Sequence, residues 1–168
     1  LGGEYKESNA VKYVEYEEGI YVGYRYFETA ADIGAIAYDD YVTYPFGYGL
    51  DYDDDKVTQT LSEVTYADGK VTVKGSITNA SSKYDAKEVV QIYYNPPYKA
   101  STSKIERATK NLVAFEKYEV KKGETKNFEI VIDEQDMTCY DYEGYYCDNG
   151  SYVLEDGEYE IILGKDSH

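Results

Sequence analysis

From Lys56 to the end of the chain, short alternating runs of apolar and polar residues follow one another, each closed by a turn signal. No amphipathic helical stripe separates them. That pattern restricts the fold more than any other feature. Strands without crossover helices pair antiparallel and bury one face against a second layer. Residues 70–78 (KVTVKGSIT) are the clearest case, with Val71, Val73 and Ile77 on one face and Thr72, Lys74, Ser76 and Thr78 on the other. An Asp68-Gly69 turn precedes this run, after a first strand over 57–64, and 79–82 breaks it. Residues 88–94 (EVVQIYY) are apolar on both faces, as a central strand requires, and Asn95-Pro96-Pro97 stops them. A strand over 112–120 turns at Lys122-Gly123 into 124–132, where Phe128, Ile130 and Ile132 alternate with Asn127 and Glu129. A break over 134–137 has room for one helical turn. The closing strand, 157–163, points Tyr159, Ile161 and Leu163 one way. Six or seven strands, one about every 10–15 residues, predict an all-β antiparallel sandwich.

The first third reads differently. Residues 11–27 are rich in β-branched and aromatic side chains and predict extended structure, broken near Glu17-Glu18-Gly19, with Gly23 as a strand-interior glycine. Residues 28–41 are small and polar and predict a linker with at most one helical turn. YPFGYGL at 44–50 concentrates backbone demands: Pro45 holds Tyr44 extended, while Gly47 and Gly49 allow positive φ. Phe46 and Tyr48 between them suit an aromatic anchor at a fixed bend. DYDDD at 51–55 reads as an acidic linker.

Composition narrows function mostly by exclusion. A net charge of −16 repels nucleic acid and anionic lipid, so neither is an expected partner. No run is long and apolar enough to span a membrane, and LGGEYKESNA lacks a leader pattern. Cys139 and Cys147 could bridge a hairpin turning at Glu143-Gly144, or stay free thiols; without a nearby histidine they make a poor zinc site. Asp51, Asp53 and Asp55 open like a calcium loop, but Lys56 and Ser62 break the pattern, so no metal site is expected. The pairs Glu17-Glu18 and Asp39-Asp40 sit in wet, turn-like sequence, unsuited to a catalytic dyad. His168, the only histidine, is terminal, leaving Ser and Cys nucleophiles without a base held in a core. Tyrosine is the compositional outlier, with 23 Tyr and no Trp. Most fall in strand-like runs; Tyr98, Tyr140, Tyr142, Tyr145 and Tyr146 lie in or near loops and are candidates for glycan stacking or for packing against another domain.

The ordered set EGIYVGYRYF (18–27), YPFGYGL, VVQIYY, LVAFEK with KKGETKNFEIVI, and YVLEDGEYEIILG followed by KDSH resembles the C-terminal region of glycoside hydrolase family 3, the β-glucosidases and β-xylosidases. The final stretch most resembles glucosidases of anaerobic gut and rumen bacteria, in some of which the barrel domain follows the sandwich. That resemblance implies a bacterial parent and leans towards a cytoplasmic one. It implies that 1–43 end an α/β-sandwich domain, that 44–55 form the aromatic joint and acidic linker, and that 56–168 form an immunoglobulin/fibronectin type III-like β-sandwich. Acids at 51–55 replace the family's Ser-Tyr-Thr-Thr-Phe-like continuation.

The resemblance also implies a division of labour. A retaining glycosidase needs two carboxyl groups about 5–5.5 Å apart. The family's nucleophile motif and acid/base loop do not occur in this sequence, so no catalytic residue and no cofactor is carried over. The chain is expected to be a non-catalytic accessory piece that buttresses the other domains of a parent glycosidase. Phe46, Tyr48, Tyr24 and Tyr26 are its expected inter-domain packing residues. The alternative is a stand-alone sandwich that binds oligo- or polysaccharide through Tyr140, Tyr142, Tyr145 and Tyr146.

Overall fold

Among the residues that the computed structural model describes (5–7, 12–14, 16–50, 52–99 and 103–168), regular structure comprises one α-helix and ten strands. In chain order these are β1 (Tyr5–Glu7), β2 (Lys12–Val14), α1 (Tyr24–Asp32), β3 (Val57–Ala67), β4 (Lys70–Asn79), β5 (Ala86–Asn95), β6 (Asn111–Val120), β7 (Thr125–Asp133), β8 (Cys139–Asp141), β9 (Ser151–Val153) and β10 (Glu160–Gly164). Two three-stranded antiparallel sheets, β3-β4-β7 and β10-β5-β6, face each other as the expected sandwich; β1-β2 and β8-β9 are separate hairpins.

Period-2 patterning sets the core. Along β4 burial alternates without a break: Val71, Val73, Gly75, Ile77 and Asn79 are buried, and Lys70, Thr72, Lys74, Ser76 and Thr78 face outward. Val90 and Ile92 of β5, Val120 of β6 and Phe128, Ile130 and Ile132 of β7 meet them from the other strands. Burying each such aliphatic side chain stabilises by about 1.5–3 kcal/mol. β5 is the central strand of its sheet, as its doubly apolar sequence requires. The Asp68-Gly69 turn has positive φ at both residues (52° and 74°), the two-residue hairpin geometry that matches strand twist. The expected helical turn at Glu134–Met137 is present as a 3-10 turn and buries Met137.

Asn79, fully buried, locks the corner where the chain crosses between sheets. Its Nδ2 donates to the carbonyls of Tyr84 (3.0 Å) and Val120 (3.2 Å), and its Oδ1 accepts from Ser81 N (3.0 Å). Its backbone N donates to Glu124 O, and its carbonyl accepts from Gly123 N. The polar group is satisfied on every side, which is the condition for burying it cheaply.

The first third departs from the expectation. Residues 24–32, read as the end of a strand and the start of a linker, are the helix α1, preceded by a 3-10 turn at Gly19–Tyr21. Gly23, with φ 64°, is the N-cap of that helix and not a strand bulge. The helix ends in a Schellman arrangement: Gly34 N donates to Ala31 O, Ala35 N donates to Ala30 O, and Gly34 has φ 72°. Local β-propensity lost to tertiary context, because the helix buries Tyr24 and Glu28 against the sandwich.

Candidate functional site

The segment from α1 to Gly49 is clasped to the β10-β5-β6 sheet by aromatic and polar contacts that begin at Tyr24. Its ring stacks on Phe46 (centroids 4.6 Å apart, 14° between planes) and meets Tyr93 of β5 edge-on at 6.2 Å. Its hydroxyl accepts from Leu112 N at 2.8 Å. Phe46 is then fixed through its backbone, whose carbonyl accepts from Ser167 N at 2.8 Å. Gln91 reaches across from β5: Nε2 donates to Gly47 O (3.2 Å) and to Lys165 O, and Oε1 accepts from the Tyr93 hydroxyl (2.6 Å). Gly47 is required twice over, by φ 86° and because an added Cβ would lie 2.1 Å from Gln91 Oε1.

A buried carboxylate closes the other end of the clasp. Glu28 of α1 is 5 % exposed. Its Oε1 accepts from the hydroxyls of Tyr38 (2.8 Å) and Ser167 (2.7 Å). Its Oε2 lies 3.1 Å from His168 Nδ1 and 3.7 Å from Lys110 Nζ. The Tyr38 ring stacks on His168 with centroids 3.7 Å apart. Burial, then the hydrogen bond to Glu28, pushes the Tyr38 phenol up to about 12. Serine, histidine and glutamate converge here, yet the Ser167 hydroxyl donates to the carboxylate rather than to the imidazole, which is not the Ser–His pairing of an activated nucleophile. The cluster is a latch between helix and C-terminal residues.

Of the expected packing residues, Tyr24 packs against this chain's own sandwich and Phe46 stacks on Tyr24 while staying about half exposed, as Tyr26 and Tyr48 do. Tyr26 touches Phe27 edge-on at 5.3 Å, and Tyr48 leans on Tyr44 at 5.3 Å. The segment exposes many large apolar side chains, Ile20, Val22, Tyr26, Ile33, Tyr41, Tyr44, Tyr48 and Leu50, among the exposed acids Glu17, Glu18, Asp32, Asp39 and Asp40. Glu28, Tyr38, Gln91, Lys110 and Ser167 were not singled out in the sequence.

The second candidate is the β8–β9 hairpin. Tyr140 and Tyr152 oppose each other in register and meet edge-on at 5.3 Å on the outer face. Tyr142 is 84 % exposed, and Tyr145 and Tyr146 lie about half exposed in the connecting loop. Tyr146 is partly committed, its hydroxyl donating to Glu155 Oε1 (2.6 Å) and its ring covered by Lys104 Nζ (4.8 Å). Asp141 holds the loop rigid. Fully buried, it accepts from Tyr145 N (3.0 Å) and Tyr146 N (2.7 Å). Burial works to raise its pKa, but backbone donations from Tyr146, Tyr145, Gly144 and Cys147 outweigh it and hold the carboxyl below its ordinary value. Tyr98, also exposed, is on the loop after β5. Cys139 faces Val153 across the hairpin, and both cysteines are free thiols. Beneath the hairpin Arg107, nearly fully buried, pairs with Glu155 at 3.0 Å.

Glu17, Glu18, Asp39 and Asp40 are all exposed. Among the described residues no group of acids, histidines or cysteines could hold a metal ion, while Asp51 of the calcium-like run lies outside them.

Comparison with known proteins fits this geometry. Residues 88–167 match the family model of the fibronectin type III-like domain. The chain is 33% identical over 154 residues to a β-glucosidase of Kluyveromyces marxianus, covering 92% of this chain and 16% of that protein. It is 37% identical over 166 residues to β-glucosidase A of Butyrivibrio fibrisolvens, covering 90% of this chain and 19% of that one. Among solved structures, the K. marxianus β-glucosidase in complex with glucose superposes with a TM-score of 0.75 at 32% identity over 92% of this chain and 16% of its own. The GH3 β-glucosidase of Bifidobacterium adolescentis gives a TM-score of 0.70 at 32% identity, covering 92% of this chain and 20% of its own. The chain therefore spans under a quarter of these relatives.

Proposed function

Because the chain belongs to the fibronectin type III-like region of glycoside hydrolase family 3 β-glucosidases, we propose that it is the non-catalytic, structural part of such an enzyme and buttresses its catalytic domains. The observation that carries this reading is the segment 16–50. It is fixed to the sandwich by Tyr24 against Tyr93 and Leu112, by Gln91 on Gly47 and by the Glu28 latch, and it also presents many large apolar side chains to solvent. So many exposed large apolar side chains within one short segment mark a surface that another body covers. The relatives contain several times more chain than is present here, so the covering body is the rest of the parent enzyme. Within the parent, residues 1–43 would end the preceding domain, 44–55 would serve as joint and linker, and 56–168 would be the sandwich. The parent would hydrolyse terminal β-glycosyl units with retention, using two carboxyl groups located outside this chain. Purified residues 1–168 incubated with an aryl-β-glucoside should release phenol no faster than buffer. Saturable release above buffer, retained after repurification, would end the reading.

A second reading, a stand-alone sandwich that binds polysaccharide, is favoured by one observation, the outward rings of Tyr140, Tyr142, Tyr145 and Tyr152 on a rigid hairpin. Affinity electrophoresis through β-glucan and xylan separates the two. Retardation abolished by Tyr→Ala changes at 140, 142 and 145 supports binding, and unretarded migration supports the buttress.

A further inference from the structure

A concavity of about 460 Å³ opens beside the end of the aromatic joint, sharing only Leu50 with the candidates above. Tyr52 and Tyr84 form its aromatic part, with ring centroids 6.0 Å apart and planes tilted by 39°. Tyr52 is 92 % exposed and Tyr84 half exposed, so both offer ring faces to solvent. Lys83, Lys87 and Lys122 supply its charge. None of these lysines has an ion-pair partner among the described residues. The carboxylates close by are already engaged. Asp85 accepts from Lys122 N at 3.0 Å and pairs with Lys121 at 3.3 Å. The same backbone donation, ahead of the Lys121 charge, holds its carboxyl below the ordinary range. Glu119 pairs with Lys121 as well, and Asp53 accepts from the Ser81 hydroxyl.

The lining thus carries three lysines and one carboxylate, Asp85, an excess of positive charge on a molecule that carries −16 overall. Three lysines set against one lining carboxylate, with Lys122 facing Asp85 and Lys87 felt by Glu119, leave an excess of ammonium charge that attracts a further carboxylate against a repulsive long-range field. The volume falls in the range of small-ligand sites, which combine aromatic walls with a few placed polar groups. We propose that this notch binds an oligosaccharide bearing a uronate carboxylate, with its sugar rings against Tyr52 and Tyr84 and its carboxylate among Lys83, Lys87 and Lys122. An acidic peptide would satisfy the lysines but would leave two exposed ring faces without a role; a neutral glycan would leave the lysines without one. The inference does not depend on the chain's place in a larger enzyme.

Isothermal titration calorimetry on residues 1–168 tests it, with three probes at low salt: xylotriose carrying one glucuronosyl substituent, unsubstituted xylotriose, and a glutamate-rich decapeptide. The uronate probe should bind at least about tenfold more tightly than either of the others, and high salt should weaken it. The combined Lys83→Gln, Lys87→Gln, Lys122→Gln variant should lose roughly that tenfold, and Tyr84→Ala should weaken binding several-fold, with circular dichroism unchanged in both. Equal binding of charged and neutral sugars, tighter binding of the peptide, or no heat with any probe would overturn the proposal.

Discussion

Single side chains in the clasp differ sharply in what they hold, and Glu28 holds the most. It joins α1, the Tyr38 turn, Lys110 and the last two residues through one carboxylate. Glu28→Ala would strand the buried Tyr38 and Ser167 hydroxyls and the Lys110 charge, at a cost of about 2–4 kcal/mol. Glu28→Gln keeps an acceptor and should cost about half as much. Hydrogen exchange at α1 amides checks both, since protection there should fall before protection of β4 and β5 does. Gly47→Ala meets Gln91 at 2.1 Å and a φ of 86°, and is expected to destabilise by about 1–3 kcal/mol in urea unfolding. Gly19→Ala, with open space around its added Cβ and φ 57°, should cost about 1 kcal/mol. These residues were the least legible in the sequence. Nothing in a linear pattern distinguishes a buried, fully satisfied glutamate from the many solvated acids of this chain, because its partners lie up to 140 positions away.

Elements divide by how local their causes are. β4, β5 and β7 could be read directly, since alternation or doubly apolar composition reports burial residue by residue. The helix α1 could not. Its sequence YRYFETAAD favours strand in the aromatic half, and its buried face carries a charge where a helical stripe would carry an aliphatic residue. Gly34 just beyond it was a readable stop. The β8–β9 hairpin was anticipated as a turn near Gly144, but its strand pairing sets Cys139 opposite Val153, so the thiol spacing carried no information about a bridge. This hairpin should be acid-sensitive. Asp141 has a folded pKa below its unfolded value of about 3.9, so its contribution is complete above that pH and disappears as pH falls through the folded pKa. Amide protection at Tyr145 and Tyr146 should hold from neutral pH to about 4 and fall below it, and Asp141→Asn should lower protection at neutral pH. At the alkaline end the Glu28 latch behaves in the opposite sense. The Tyr38 phenol titrates near 12 instead of 10, so its contribution is intact below pH 10 and is lost as pH rises through about 12.

The whole molecule is a sandwich with a strap. The sandwich core is closed by facing apolar strands and does not depend on the strap, whereas the strap depends on the sandwich for Tyr24, Phe46 and Glu28. Its exposed side chains Val22, Tyr26, Ile33 and Tyr48 make none of the hydrogen bonds or ring contacts of that attachment and are available to a second body. This separation makes the buttress testable with one set of substitutions in two settings. Tyr26→Ser, Ile33→Ser and Tyr48→Ser are introduced together into residues 1–168 and into the full-length parent, and thermal unfolding of each is followed beside hydrolysis by the parent. The account predicts an isolated chain whose Tm shifts by no more than about 1–2 °C and a parent whose Tm falls by several degrees, with a matching loss of active enzyme. A parent that keeps its Tm and its activity would contradict it.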